Sequence, residues 1–261
     1  MDAAPEYEQP PEYEEEVNGA VGQVMSPGTL VLSNHHVIPA SCSNSDPKPL
    51  YELSRGVAVL SNATTSVEFS RLDHSVSQSV SGEPTLRVRK RQLYSLEHFR
   101  NGYLGKYVKY ASFGNSAAYW CKSMSRKTAG DVGLKSQRKL GFTAQKVKRD
   151  SGEYGEPCFV EGTTSSESPI LFAVRWVKRD GLYEWADYAG KQVAVESIAG
   201  GTHTLDVRIE LPRQSFDVLV ALWCLRIWFD SVQEHNDAKP PIGWTEIKRR
   251  IRLANDLPTV L

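Results

Sequence analysis

"FDVLVALWCLRIWF", residues 216 to 229, is apolar on every side of a helix, yet it lies in a chain in which 24% of the residues are charged. A membrane span needs about 20 predominantly apolar residues, and here the unbroken apolar run extends only from Val218 to Leu225, bounded by Asp217 and Arg226. At about 100° per residue those two charges fall on opposite sides of the helix, so no orientation turns both to water and no amphipathic face exists. The remaining reading is a helix buried on all sides within a protein.

The residues before it say what buries it. Over 170 to 211, "ILFAVRWV" is followed by the turn Arg179-Asp180-Gly181, "LYEWADY" by Ala189-Gly190, "QVAVES" by Gly200-Gly201, and then comes "HTLDVRIEL". Runs of this length, punctuated at hairpin spacing, predict an antiparallel meander. In its first strand Ile170, Phe172, Val174 and Trp176 point one way and Leu171, Ala173, Arg175 and Val177 the other, which predicts cover on both faces. Pro212 is then suited to open the helix, because it needs no intrahelical N–H partner there. An apolar sheet followed directly by a helix with no face for water predicts a mostly β fold: a closed antiparallel barrel curled around a buried C-terminal hydrophobic helix.

Elsewhere, "TLVLS", "GVAVLS" and "SVEFSRL" between Met25 and Val80 read as short strands, and "RLDHSVSQSVSGEP" (71 to 84) reads as a loop. "LRVRKRQLYSL" (86 to 96), "YVKYASF" (107 to 113) and "KLGFTAQKV" (139 to 147) read as strands with a cationic face. Residues 1 to 24 hold seven acids and no Lys or Arg; with few large aliphatics, they cannot offset the entropy of ordering, and a disordered acidic tail is expected. The expected organisation is thus a tail over 1–24, a barrel with its central helix over 25–235, and a basic amphipathic helix within 236–261 that carries Trp244, Ile247, Ile251 and Ala254 on one stripe.

"LFAVRWVKRDGLYEWADYAGKQVAVES" with "PRQSFDVLVALWCLRIW", and more loosely "PLYELSRGVAVLSNATTSVEFSRL" (49 to 72), resemble the tubby C-terminal-like fold. The version resembled is that of plant LURP-one-related proteins, of scramblase-like proteins and of many uncharacterised proteins of filamentous fungi. The resemblance covers roughly 25 to 235. It implies a closed barrel enclosing the hydrophobic helix, with Val218 to Trp228 as the threaded core. Some tubby-like members bind phosphoinositides through Lys and Arg on barrel strands, but no pocket carries over residue by residue.

Chemistry-bearing motifs are sparse. There is no GxSxG, no Walker A or GxGxxG after a strand, and no HExxH, CxxC or HxxxH. His35-His36 reads as a loop pair, Glu184, Asp187 and Glu196 as solvent-facing strand polarity, and Cys224 as a small buried group. No enzyme activity, cofactor or metal is expected. Absence of a basic start with an apolar run, and of a long apolar span, predicts a cytoplasmic chain with neither signal peptide nor transmembrane helix.

Charge is the informative feature. Residues 85 to 150 contain sixteen Lys or Arg against Glu97, Asp131 and Asp150. Within them Arg87, Arg89 and Arg91 alternate onto one strand face and Lys90 onto the other, a cationic row suited to clustered phosphates. The reading that follows is a non-enzymatic binding or adaptor protein that meets anionic phospholipid, a phosphoinositide, through Arg87, Arg89, Lys90 and Arg91. Nucleic acid is the alternative, using the same cations with Tyr94, Tyr107 and Tyr110 for stacking. A third outcome is a solvated face partly paired with the acidic tail. An enzyme of unfamiliar type would need a pocket of convergent ionisable groups. In the tail, Pro10-Pro11-Glu12-Tyr13 matches PPxY, the ligand class of WW domains, so Pro10, Pro11 and Tyr13 are candidate partner contacts.

Overall fold

A computed structural model of the chain describes residues 23–40, 48–78, 84–98, 115–137, 141–149, 157–160 and 170–237. The expected acidic tail with Pro10, Pro11 and Tyr13, the strand over 107–113 and the C-terminal helix with Trp244 lie outside these residues.

The strands, in chain order, are β1 (Val24–Met25), β2 (Gly28–Ser33), β3 (His36–Pro39), β4 (Tyr51–Leu53), β5 (Ser66–Gln78), β6 (Pro84–His98), β7 (Tyr119–Ser123), β8 (Val132–Gln137), β9 (Gly141–Arg149), β10 (Pro157–Phe159), β11 (Ile170–Val177), β12 (Leu182–Asp187), β13 (Gln192–Ala199), β14 (Thr202–Val207) and β15 (Leu211–Pro212), followed by one helix, α1 (Arg213–Asp237). From β2 to β9 each strand pairs antiparallel with the next; β9 then pairs with β11, the meander continues to β14, and β14 returns to β2. Twelve strands therefore close on themselves, and full closure removes the exposed edges an open sheet must protect. The turns of the meander use glycines where φ is positive, notably Gly181 and the pair Gly200-Gly201.

α1 fills the barrel. Every residue from Phe216 to Trp228 is buried, so the apolar residues on all sides of the helix each meet a wall. The two charges bounding the run are inside as well. They sit nine residues apart, half a turn round the helix by its 3.6-residue repeat, and they meet opposite walls: Asp217 is bonded by Tyr51 of β4 and Arg71 of β5, and Arg226 by Glu196 of β13. Aromatic rings complete the packing, with Tyr119 of β7 edge-on to Trp228 and Phe142 of β9 edge-on to Phe229.

Four local expectations change. "GVAVLS" forms a short 3-10 turn over Val57–Val59 rather than a strand, because this segment crosses the far end of the barrel, where Val57 is buried and Ser231 of α1 donates to the Leu60 carbonyl at 3.0 Å. The segment 71 to 84 is not simply a loop: β5 runs to Gln78 and β6 starts at Pro84, so its Ser-rich stretch is one side of a long hairpin. The first meander strand is covered on one face only; Phe172 and Val174 face the core, Trp176 continues their face but is exposed, its ring beside that of Tyr183, and Ala173 and Arg175 are exposed on the outside of the barrel. Strand pairing also begins inside the segment read as tail, since Val24 pairs with Pro212.

Outside the barrel, β10 lies on the end of β9, and Phe159, Ala117, Trp120 and Val147 form a small second cluster. Gly133 underlies it. A Cβ there would come within 2.9 Å of the Val147 side chain and 3.0 Å of Phe159.

Candidate anion-binding surface

The β5–β6 hairpin is longer than the barrel needs. β4 pairs with β5 only from Phe69 to Arg71, with Leu72 and His74 still bonded to the Leu50 and Pro49 carbonyls, and β7 pairs with β6 only from Tyr94 to His98, so beyond His74 and Gln92 the two strands pair only with each other among the described residues. They form an arm that projects past the barrel end where α1 begins. At its root the register shifts, with Phe69 opposite Tyr94 and Ser70 opposite Gln92, so Leu93 is an extra residue that lets Leu93 and Tyr94 both be buried.

Pairing register assigns the faces. Arg87 lies opposite Ser75, Arg89 opposite Asp73 and Arg91 opposite Arg71. Arg71 points inward, donating to Asp217 of α1 at 2.9 Å, so the whole Arg87–Arg89–Arg91 row lies on the side that overhangs the barrel mouth. The other side carries Leu86, Val88 and Lys90, opposite Val76, His74 and Leu72. The alternation expected from sequence holds, with Lys90 on the opposite face.

Their charges are not equally available. Lys90 is held by Glu52 of β4 at 2.9 Å, and that hydrogen bond is the main reason the Glu52 carboxyl sits below its ordinary value. Arg91 is half-buried 3.8 Å from Asp73. Arg87 and Arg89 are exposed and, among the described residues, have no carboxylate partner. Asp73, across from Arg89, is already taken by Arg71 Nε at 2.7 Å.

Beneath the arm lies a buried charge network that sequence reasoning did not foresee. The Asp217 carboxylate accepts from Tyr51 Oη at 2.6 Å, Arg71 Nη1 at 2.9 Å and Arg213 Nε at 3.2 Å. Burial raises Asp217 above its ordinary value against the pull of these donors. Burial also pushes the Tyr51 hydroxyl well up, reinforced by the charge of Asp217. For Arg71, burial acts downward but is outweighed by the hydrogen bond to Asp73 and the charge of Asp217, and its value is raised. Counting Arg71, Arg91 and Arg213 against Asp73 and Asp217, the mouth keeps an excess of positive charge even before Arg87 and Arg89 are added.

The second buried network is structural. Arg226 forms two hydrogen bonds with Glu196 and one with Asp230 at 2.5 Å, while Trp185 Nε1 donates to Glu196 at 3.3 Å and the Tyr183 ring lies 4.1 Å from the guanidinium. Burial lifts the Glu196 carboxyl, opposed by Arg226; burial acts downward on Arg226 but is outweighed by the charges of Glu196 and Asp230, which hold it above its ordinary value, and a guanidinium keeps its proton in proteins. Glu196 is thus a core residue, not the solvent-facing one its strand position suggested. Glu184 does face out, paired with Arg175, and Asp187 accepts from the Ala189 and Lys191 amides in its turn.

Other candidates are dispersed. Tyr94, offered for base stacking, is fully buried, and its hydroxyl accepts from the Ala129 amide at 3.2 Å. Among the remaining described cations of the basic window, Lys122 faces Glu97 at 3.9 Å, Arg149 lies near Asp131 and over Trp120, and Lys135 lies over Phe159. Lys146 and Lys148 are exposed on β9. The rings of His35 and His36 are 4.1 Å apart at the β2–β3 turn, and among the described residues no group of three or more His, Cys, Asp or Glu is placed to hold a metal ion. Cys224 is buried, and burial raises its thiol. No helix among the described residues is long and apolar enough to cross a membrane. Comparison with known protein families, with characterised proteins and with solved structures finds no match.

Proposed function

We propose that the chain is a non-enzymatic binding or adaptor protein that docks on anionic, phosphoinositide-bearing membrane surface through the β5–β6 arm. The observation carrying this reading is the pair Arg87 and Arg89, exposed and, among the described residues, free of carboxylate partners on one face of an arm whose other face exposes Val76, Leu86 and Val88, at 71%, 46% and 52%. Guanidinium forks hold phosphate with two hydrogen bonds each, and exposed apolar side chains beside cations suit the boundary between headgroups and acyl chains. The excess positive charge at the mouth steers in the same direction. A closed barrel around a central helix supports kinship with the tubby-like fold, and with it a cytoplasmic protein peripheral to membranes. Under the same reading Pro10-Pro11-Glu12-Tyr13 is a WW-domain ligand, which a WW-domain titration of wild type and Tyr13→Ala tests; equal binding removes it.

Sedimentation with phosphatidylcholine vesicles, with and without phosphoinositide, tests the arm. Wild type is expected to pellet only with the anionic vesicles, and less as salt shortens the screening length. Each cation near an anionic surface contributes about 1 kcal/mol, so the double change Arg87→Gln, Arg89→Gln should weaken binding on the order of tenfold or more. Lys146→Gln with Lys148→Gln removes the same charge from β9 and should leave most binding intact. Equal losses in the two variants would mean a diffuse field rather than a site. Wild type ignoring anionic vesicles at low salt would overturn the lipid reading.

A further inference from the structure

We propose that the acidic segment preceding the barrel, residues 1 to 22, is the intramolecular occupant of the arm's cationic face, where it competes with the anionic surface; the competition rests on the arm being the docking site proposed above. Charge is the first ground. Asp2, Glu6, Glu8, Glu12, Glu14, Glu15 and Glu16 are unaccompanied by any Lys or Arg in that segment, and the arm holds the two exposed guanidiniums, Arg87 and Arg89, that no carboxylate among the described residues neutralises.

Position is the second. The segment joins the barrel at Gln23, whose carbonyl accepts from the Arg213 amide at 2.8 Å at the start of α1, and Met25 Sδ lies 3.0 Å from Arg213 Nη1. From there a continuous set of contacts leads to the arm: Arg213 to Asp217, Asp217 to Arg71, Arg71 to Asp73, and Asp73 to Arg91. Gln23, where the described chain begins, therefore lies at the same mouth that the arm overhangs.

Reach is the third. Glu16 is the acid nearest the barrel, and seven residues of chain can span up to about 23 Å. Arg87 stands opposite Ser75, two residues beyond Asp73, or about 7 Å further along the strand. With seven to nine residues of chain before Gln23, Glu16, Glu15 and Glu14 have a reach of about 23 to 30 Å from it. A short tether holds them near millimolar effective concentration, enough for a weak, salt-sensitive contact that anionic lipid can displace. Glu12 and Glu14 also flank Tyr13 of the PPxY sequence, so a partner engaging that motif would draw acids off the arm and favour docking.

The test uses the full chain. Arg87→Lys with Arg89→Lys keeps both charges and supplies amines, and a zero-length carbodiimide reagent should then join them to Glu12, Glu14, Glu15 or Glu16, as read by peptide mass spectrometry. The expected yield does not change with protein concentration and falls at high salt. Absence of these links, or a yield that rises with concentration, overturns the proposal. In the second measurement, changing the six tail glutamates to Gln in otherwise wild-type chain should tighten binding to phosphoinositide vesicles by roughly tenfold, the gain of freeing one to two cations. Unchanged vesicle binding in a wild type that does bind overturns the competition. Links forming in a chain that ignores vesicles uphold the tail contact and refute only the lipid reading.

Discussion

Replacing Arg226 by Met is the most revealing perturbation of the fold, because its cost depends on what happens to Glu196. Both side chains are wholly buried, and without the guanidinium Glu196 keeps, among the described residues, only the indole of Trp185. Breaking a buried pair from one side typically costs about 3 to 5 kcal/mol. The carboxylate has an escape, which is to take up a proton. From an ordinary value of 4.5, protonation at neutral pH costs about 3.4 kcal/mol at 1.36 kcal/mol per unit, which falls within that range. The sign of the pH dependence follows. In the variant the folded state holds a proton that the unfolded chain releases above its ordinary value, so stability is lost as pH rises and recovered as it falls. Between pH 7 and pH 5 the variant should regain about 2.7 kcal/mol relative to wild type. Removing both partners, Glu196→Leu with Arg226→Met, should cost much less than the sum of the single changes, since Asp230 is partly exposed and can be solvated. Urea unfolding at the two pH values reads all of this. A single-variant cost below about 1 kcal/mol, no recovery at pH 5, or additive behaviour in the double variant would refute the buried pair.

Three further outcomes follow from the packing. Leu222→Ala should cost about 2 to 5 kcal/mol in urea unfolding because Leu222 is fully buried between helix and barrel wall; a loss under about 0.5 kcal/mol would mark a surface position. Gly141→Ala should sharply lower the melting temperature or prevent folding, since Gly141 has φ +115° and a Cβ would sit 1.9 Å from the Val174 carbonyl oxygen where β9 meets β11; an unchanged melting temperature would contradict the closure described there. Burial lowers His203 below its ordinary 6.5, and among the described residues its Nδ1 has no partner, so the folded state resists a proton that the unfolded chain accepts and stability falls as pH drops through 6.5. His203→Gln should flatten the fall in melting temperature between pH 7 and pH 5.5, and an equal fall in both forms would remove His203 as its source.

The helix was legible because burial on all sides leaves a mark in composition alone: no polar stripe runs through Val218 to Leu225. The meander was legible through its glycine turns. What the chain could not disclose was long-range pairing. Asp217 and Arg226 stood out as charges bounding an apolar run, but their partners Tyr51, Arg71 and Glu196 lie 30 to 166 residues away, and nothing in strand alternation distinguishes a carboxylate facing a buried arginine from one facing water. The arm failed for a related reason. "SVSQ" has little strand character by itself, and it becomes strand because "PTLR" (84 to 87) pairs beside it. The arginine row was assigned to its face by alternation, whereas the division into Arg87 and Arg89, with no carboxylate partner among the described residues, and engaged Lys90 and Arg91 depended on Glu52 and Asp73, which only the folded barrel brings near.

Hydrogen exchange of the full chain, with phosphatidylcholine vesicles and with vesicles that also contain phosphoinositide, tests the docking account most directly, because it reports which backbone segment the surface covers. Protection added only by the anionic vesicles should appear at residues 73–78 and 84–91, with the α1 amides protected in every condition by the barrel around them. Added protection confined to β7–β9, or none anywhere at low salt, would contradict the arm as the docking element.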